Sequence, residues 1–272
     1  MWLLILWNGK PRLWDMVAVH DSVSILIYNK TRSKFVFVRQ FRPAVYYNSI
    51  PPEDREKIDT EKYKPELGVT MELCAGVVDK DKPLVEIARE EILEETGYDV
   101  PVERLQKIMT CRSGVGVSGS TKTMYVAVVE DSMRVTEGGG MEEEGEVIDV
   151  YEASRQELSR LLDGGFVNYS PETMAALQWW DLRKLKQFSS VFYLRRANAC
   201  MHLLRWESLL LVAVQTSNVF SAGGGCDHEH ELIEVVELSP EELDKYLASA
   251  VLRSPEGFLY AVLWFKTNMT LP

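Results

Sequence analysis

Two short runs dominate the apolar pattern near the start of the chain: 23–28 (VSILIY) and 34–39 (KFVFVR), separated by the polar NKTRS. Both are rich in β-branched, aliphatic and aromatic residues, so they predict a β-hairpin. The opening MWLLILW predicts a strand, because it is short and has no basic region before it or small-residue cleavage site after it. Residues 49–68 are polar and proline-rich, which predicts a surface loop, and 69–78 reads as a strand with Gly76 near its end. At 83–96 the period changes to that of a helix, with Pro83 suited to the first turn and Gly97 to the C-terminal stop. Further strands are expected at 105–111, 123–129 and 146–151, helices at 154–163 and 170–185, and a flexible loop at Gly138-Gly-Gly. Strands, a helix, strands, then helices point to a mixed α/β sandwich.

The remaining third of the chain partly repeats the first two. GGGMEEEGEVIDVYEASRQEL, from Gly138, aligns without a gap on GGGCDHEHELIEVVELSPEEL, from Gly223. Glu144 pairs with Glu229, Glu146 with Glu231, Leu158 with Leu243 and Trp179 with Trp264. The match runs through a strand and two helices, so 188–272 reads as a partial duplicate of the back half of a domain occupying 1–187. The duplicate would compete with 124–185 for one place in the fold, or stand as an appendage. DHEHE at 227–231 resembles a metal-binding string, but its alignment with the acidic loop favours an altered copy.

Composition narrows the classes. With 272 residues, 46% of them apolar, the chain has room for a sizeable core. A net charge of −11 argues against binding along a nucleic-acid backbone, which needs clustered cations. Any anionic substrate would therefore require local cations or metal ions. No run reaches the length of a membrane span. Cys74, Cys111, Cys200 and Cys226 form no CxxC pair, which suits reduced thiols in a cytoplasmic protein.

The helix at 83–96 carries the chemistry. It contains the adjacent pairs Glu90–Glu91 and Glu94–Glu95. Glu91 and Glu95 lie four apart on one face with Glu94 beside them, and Ile87, Ala88 and Ile92 offer an apolar face for packing. Crowded carboxylates repel one another unless a cation offsets them, and hard oxygen ligands suit Mg²⁺, with Mn²⁺ as the alternate. The competing explanation is a solvated acidic face.

Residues 76–98, GVVDKDKPLVEIAREEILEETGY, resemble the Nudix box: a glycine, spaced residues, then R-E-U-x-E-E-x-G-U, where U is bulky and apolar. Glu91, Ile92, Glu94, Glu95, Gly97 and Tyr98 fit the final block. Two positions depart, since the box's first glutamate falls on Lys82 and its arginine on Glu90, with Arg89 one place early and Glu86 nearby. The segments WDMVAVHDSV, VRQFRPAVY, ELCAGVVD and SGVGVSGS and the GGG-acidic run resemble the uridine diphosphate glucose pyrophosphatase branch, which is close to the ADP-ribose pyrophosphatases.

The resemblance implies a Nudix α/β/α sandwich with a mixed sheet, ending in the partial repeat. It implies hydrolysis of a nucleoside diphosphate sugar, with Glu91, Glu95 and the carbonyl of Ala75 as metal ligands and Glu94 assisting. Glu146 would be the base or an extra ligand, with Glu144 second, on a loop that closes around Gly138-Gly-Gly. Arg42 is the expected cation for a substrate phosphate, the alternative being a surface salt bridge. Trp14, Phe41 and Tyr46 are candidates to stack on a base, the alternative being core packing. His20 and Asp21 are read as structural. In the resembled family a proline in this loop often marks ADP-ribose specificity; SGVGVSGS has none, so the resemblance favours UDP-glucose over ADP-ribose. Family analogy implies a homodimer. The rival reading, motivated by Lys82 and Glu90, is an inactive paralogue that binds nucleotide sugars without cleaving them.

Overall fold

The computed structural model describes residues 2–7, 10–141, 147–163, 168–188, 238, 240–249, 252, 254 and 256–268. The chain divides into two compact units, Met1–Arg195 together with Val251–Pro272, and Arg196–Ala250. The described part of the second unit is centred on one helix, α5 (Pro240–Leu247). All elements below belong to the first unit.

The central strand β3 (Ser22–Asn29) is buried along nearly its whole length, as expected of a strand covered on both faces. It runs parallel to β8 (Ser120–Val129), with Ser22 opposite Lys122 and Asn29 opposite Val129. β7 (Leu105–Ser113) continues the sheet beyond β8. On the other side β3 meets β4 (Lys34–Phe41) through only three residue pairs next to the turn. The predicted hairpin therefore forms, but its arms then splay. The apolar run 69–78 fills the gap as two strands instead of one. β5 (Val69–Glu72) pairs with β4, and after Leu73 the chain crosses so that β6 (Cys74–Val77) pairs with β3. β9 (Ile148–Ala153) lines the other edge of β4. The result among the described residues is a seven-stranded mixed sheet, with β1 (Trp2–Trp7) and β2 (Lys10–Asp15) forming a separate antiparallel pair.

Alternate residues of β3 face different helices. Val23, Ile25 and Ile27 join Ile87, Ala88 and Ile92 of α2 (Leu84–Thr96) in one core. Tyr28 instead meets Trp180 of α4 (Pro171–Phe188) at 4.7 Å, with Phe35 edge-on to the same ring at 5.5 Å. α2 begins after Pro83 and ends at Gly97, whose φ of +77° lets its N–H return to Leu93. α1 (Pro43–Asn48) follows β4. α3 (Arg155–Asp163) starts from a capping box: Glu157 N–H donates to Ser154 Oγ, and Ser154 N–H to Glu157 Oε2.

α6 (Glu256–Asn268) packs on α4 and β7, burying Leu259, Val262 and Leu263, and Leu252 N–H donates to the Thr110 carbonyl at 2.8 Å. α4 and α6 are thus neighbours within one unit and do not compete for one position. The strand half of the proposed repeat, including 223–237, lies outside the described residues. No helix among the described residues is long and apolar enough to cross a membrane.

Leu259 is fully buried, so Leu259→Ala should lower stability by about 2–5 kcal/mol in a denaturant titration. Gly257→Ala, whose added Cβ meets nothing within 4 Å, should leave stability unchanged or raise it.

Candidate active site

The apolar face of α2 decides where its carboxylates point. With Ile87, Ala88 and Ile92 packed on the sheet, Glu91 and Glu95 come down on the backbone of β6. Glu95 is only 5% exposed, and its Oε2 accepts the Ala75 N–H at 3.0 Å. Glu91 lies over the next residue: a Cβ on Gly76 would stand 2.0 Å from both its Cδ and its Oε1. Burial pushes the neighbouring Cys74 thiol up, and the charges of Glu95, Glu91 and Glu94 push it further, so all three carboxylates act on one spot. They stand near the C-terminal end of α2, where the helix dipole adds negative potential.

This is a donor set of hard oxygens around a cradle that one methyl group would fill. Among the described residues no group of three or more His, Cys, Asp or Glu forms a metal cage by itself. Mg²⁺ does not require one, since it keeps several waters and is commonly held by one or two carboxylates plus substrate phosphates. Glu91 and Glu95 fit that requirement, with Ala75 beside them and Glu94 half-buried next to them.

The two departures from the box find each other. Lys82 Nζ lies 2.5 Å from Glu90 Oε1, and Lys80 Nζ 3.6 Å from Glu90 Oε2. The Lys82 hydrogen bond holds the Glu90 carboxyl below its ordinary value. Arg89 points elsewhere, to Asp99 at 2.7 Å. Lys80 was not expected at the site. Desolvation pulls its ammonium down, but Glu94, Glu90 and Glu91 outweigh that and hold it above its usual value.

A second charged group lies toward β5 and α4. Arg42 donates through Nε and Nη2 to the two oxygens of Glu72, both at 2.8 Å. That bond raises Arg42 above its ordinary value, with Glu95 and Glu172 adding to it through space. Burial alone would raise the Glu72 carboxyl, but Arg42 and the Thr70 hydroxyl overcome it and hold it low. Lys122 forms a nearly buried ion pair with Glu172 at the start of α4. Neither Lys122 nor Glu172 was expected here.

The aromatic candidates separate. Phe41 and Tyr46 pack with their rings tilted, centroids 5.5 Å apart, beside Gly68. Trp14 is half exposed and donates its indole N–H to the Gly116 carbonyl, joining the N-terminal segment to the SGVGVSGS loop. Asp21 takes the structural part expected of it, accepting the Thr121 N–H at 2.7 Å, and His20 is exposed. The Gly138-Gly-Gly segment is not a loose loop: Gly139 N–H donates to the Glu95 carbonyl and Gly140 N–H to that of Glu94. Glu144 and Glu146 lie outside the described residues.

No protein-family model matches the chain. Curated relatives do. The uridine diphosphate glucose pyrophosphatase of Bos taurus is 40% identical over 154 residues, covering 53% of this chain and 69% of the relative. That of Mus musculus is 34% identical over 184 residues, covering 64% and 83%. The GDP-mannose pyrophosphatase of Cronobacter sakazakii is 32% identical over 164 residues, covering 60% and 74%. The chain belongs to the Nudix hydrolase family. A solved structure described as the crystal structure of an ADP compounds hydrolase aligns with a TM-score of 0.49 at 16% identity, covering 70% of this chain and 87% of that one.

In this Nudix hydrolase Gly76→Ala should fold, because the three atoms nearest the added methyl all belong to the Glu91 side chain and none to the backbone. It should nevertheless weaken any divalent-cation binding at these carboxylates about 10-fold or more in calorimetry, because Glu91 must move aside. The Arg42–Glu72 pair carries a pH signature. A carboxyl held low stabilises the fold above its ordinary value, and that contribution disappears as pH falls through the lowered value. The stability gap between the wild type and Glu72→Gln, measured in urea, should therefore shrink as pH drops from about 6 to below the ordinary carboxyl range of about 4.3.

Proposed function

We propose that the chain hydrolyses the pyrophosphate bond of a nucleoside diphosphate sugar, with Mg²⁺ as the working ion and Mn²⁺ as the alternate. UDP-glucose is the favoured substrate, giving UMP and glucose 1-phosphate, and ADP-ribose is the second choice. One observation carries this reading: Glu91 and Glu95 converge on the adjacent backbone of Ala75 and Gly76. Relatives named for UDP-glucose and GDP-mannose support the substrate class.

In the reaction the oxygen of water bonds to one phosphorus, the bridging P–O bond breaks, and the leaving phosphate keeps the electron pair. A divalent cation held by Glu91, Glu95 and Ala75 would offset charge on the diphosphate and acidify water. Glu94 would assist, and Glu146 is the candidate base or extra ligand. Lys80, 3.6 Å from Glu90 and in the field of Glu94 and Glu91, would temper the repulsion among the acids of this helix before a cation arrives. Arg42, held by Glu72, would turn to a substrate phosphate at the cost of that pair. Trp14, tied to the Gly116 loop, and Phe41 are the aromatic surfaces offered to the base. A cytoplasmic homodimer belongs to the same reading, supported by the family resemblance.

The test is a panel of UDP-glucose, GDP-mannose and ADP-ribose with and without Mg²⁺, read by release of UMP, GMP or AMP. Cation-dependent turnover with UDP-glucose preferred is expected. Glu95→Gln retains an acceptor for the Ala75 N–H but loses the charge, so it should stay folded and lose orders of magnitude in kcat. Full activity in Glu95→Gln would sink the assignment.

A further inference from the structure

The last turn of α2 holds Glu94 and Glu95 under two electrostatic burdens. Its terminal carbonyls have no partner within the helix. The negative end of the helix dipole also opposes the same two carboxylates. Two members of a run of three glycines relieve both. Gly139 N–H donates to the Glu95 carbonyl at 2.9 Å and Gly140 N–H to the Glu94 carbonyl at 3.1 Å. Gly138, Gly139 and Gly140 have φ of +74°, +116° and +77°, a run that side-chain-bearing residues adopt only with strain. Space is denied as well: a Cβ on Gly138 would stand 2.5 Å from the Glu95 carbonyl oxygen. The segment is itself anchored, since Ile148 N–H donates to the Gly139 carbonyl at 3.1 Å at the start of β9, and β9 pairs with β4.

We propose that Gly138, Gly139 and Gly140 form a positioning clamp for the divalent cation. By holding the carbonyls of Glu94 and Glu95, the clamp gives their carboxylates one fixed backbone from which to meet the ion. The inference rests on the reading that this turn holds a metal, and it assigns a role to three residues that carry no ligand atom for it. Coupling is reciprocal, so the ion must also tighten the clamp.

Two measurements on the full chain test this. In the wild type, the amide protons of Gly139 and Gly140 should exchange slowly and become slower on adding Mg²⁺. Unprotected amides, or exchange that ignores Mg²⁺, would overturn the clamp. In Gly138→Ala and Gly139→Ala, calorimetric Mn²⁺ affinity should fall about 10-fold or more, with the circular dichroism spectrum unchanged and kcat recovering at high Mg²⁺. Gly139→Ala is sterically the gentler variant, strained by its φ of +116° but with its Cβ meeting only the Ile148 carbonyl at 3.6 Å. Gly257→Ala is the control and should bind Mn²⁺ as the wild type does. Weakened Mn²⁺ binding supports the clamp even if the wild type cleaves no nucleotide sugar. Unchanged binding in a folded variant removes it even where turnover is robust.

Discussion

The close approach of a carboxylate-bearing helix to a strand with no side chain at Gly76 governs the rest of the site. Glu91 occupies the volume a Cβ would need, and Glu95 reaches the neighbouring amide of Ala75. Two negative groups are thereby set on consecutive residues of one strand, near the end of a helix whose dipole opposes them. Such an arrangement is poor for isolated stability and good for a cation. The surrounding positive groups follow from it. Lys80 stands 3.6 Å from Glu90, Lys82 neutralises Glu90, and Arg42 feels Glu95 while bound to Glu72.

The box departures take on a different meaning in three dimensions. Read along the chain, Lys82 and Glu90 are two separate losses. In space they form one ion pair, with a positive group where the box has a negative one and the reverse at its partner. The pair is partly solvated, so it contributes little to global stability. Its effect is local, keeping Glu90 turned toward lysines and away from the other acids of the same helix.

Local punctuation made much of this legible in sequence. Pro83 and Gly97 bracket α2 to within a residue, and the order of strands and helices gave the mixed sheet with its carboxylate helix. What escaped depended on tertiary partners. The run 69–78 contains no turn residue at Leu73, so its division into β5 and β6 appears only once β4 and β3 compete for it. Arg42 and Glu72 are 30 residues apart and Lys122 and Glu172 are 50 apart, distances over which charge pairing leaves no periodic trace. Three glycines read as looseness because composition reports conformational freedom, whereas the amides of Gly139 and Gly140 are committed to two carbonyls of α2 and that of Gly138 to the Thr136 hydroxyl.

The placement of α6 has a consequence for how the protein is made. α4 ends at Phe188 and its neighbour α6 begins at Glu256. At about 5–20 residues per second, a ribosome takes several seconds to cross that roughly seventy-residue interval. During that time the nascent sheet and α4 stand without the leucines that later cover them. The first unit therefore completes its packing only after α6 has been made, seconds after α4 and the sheet have left the ribosome.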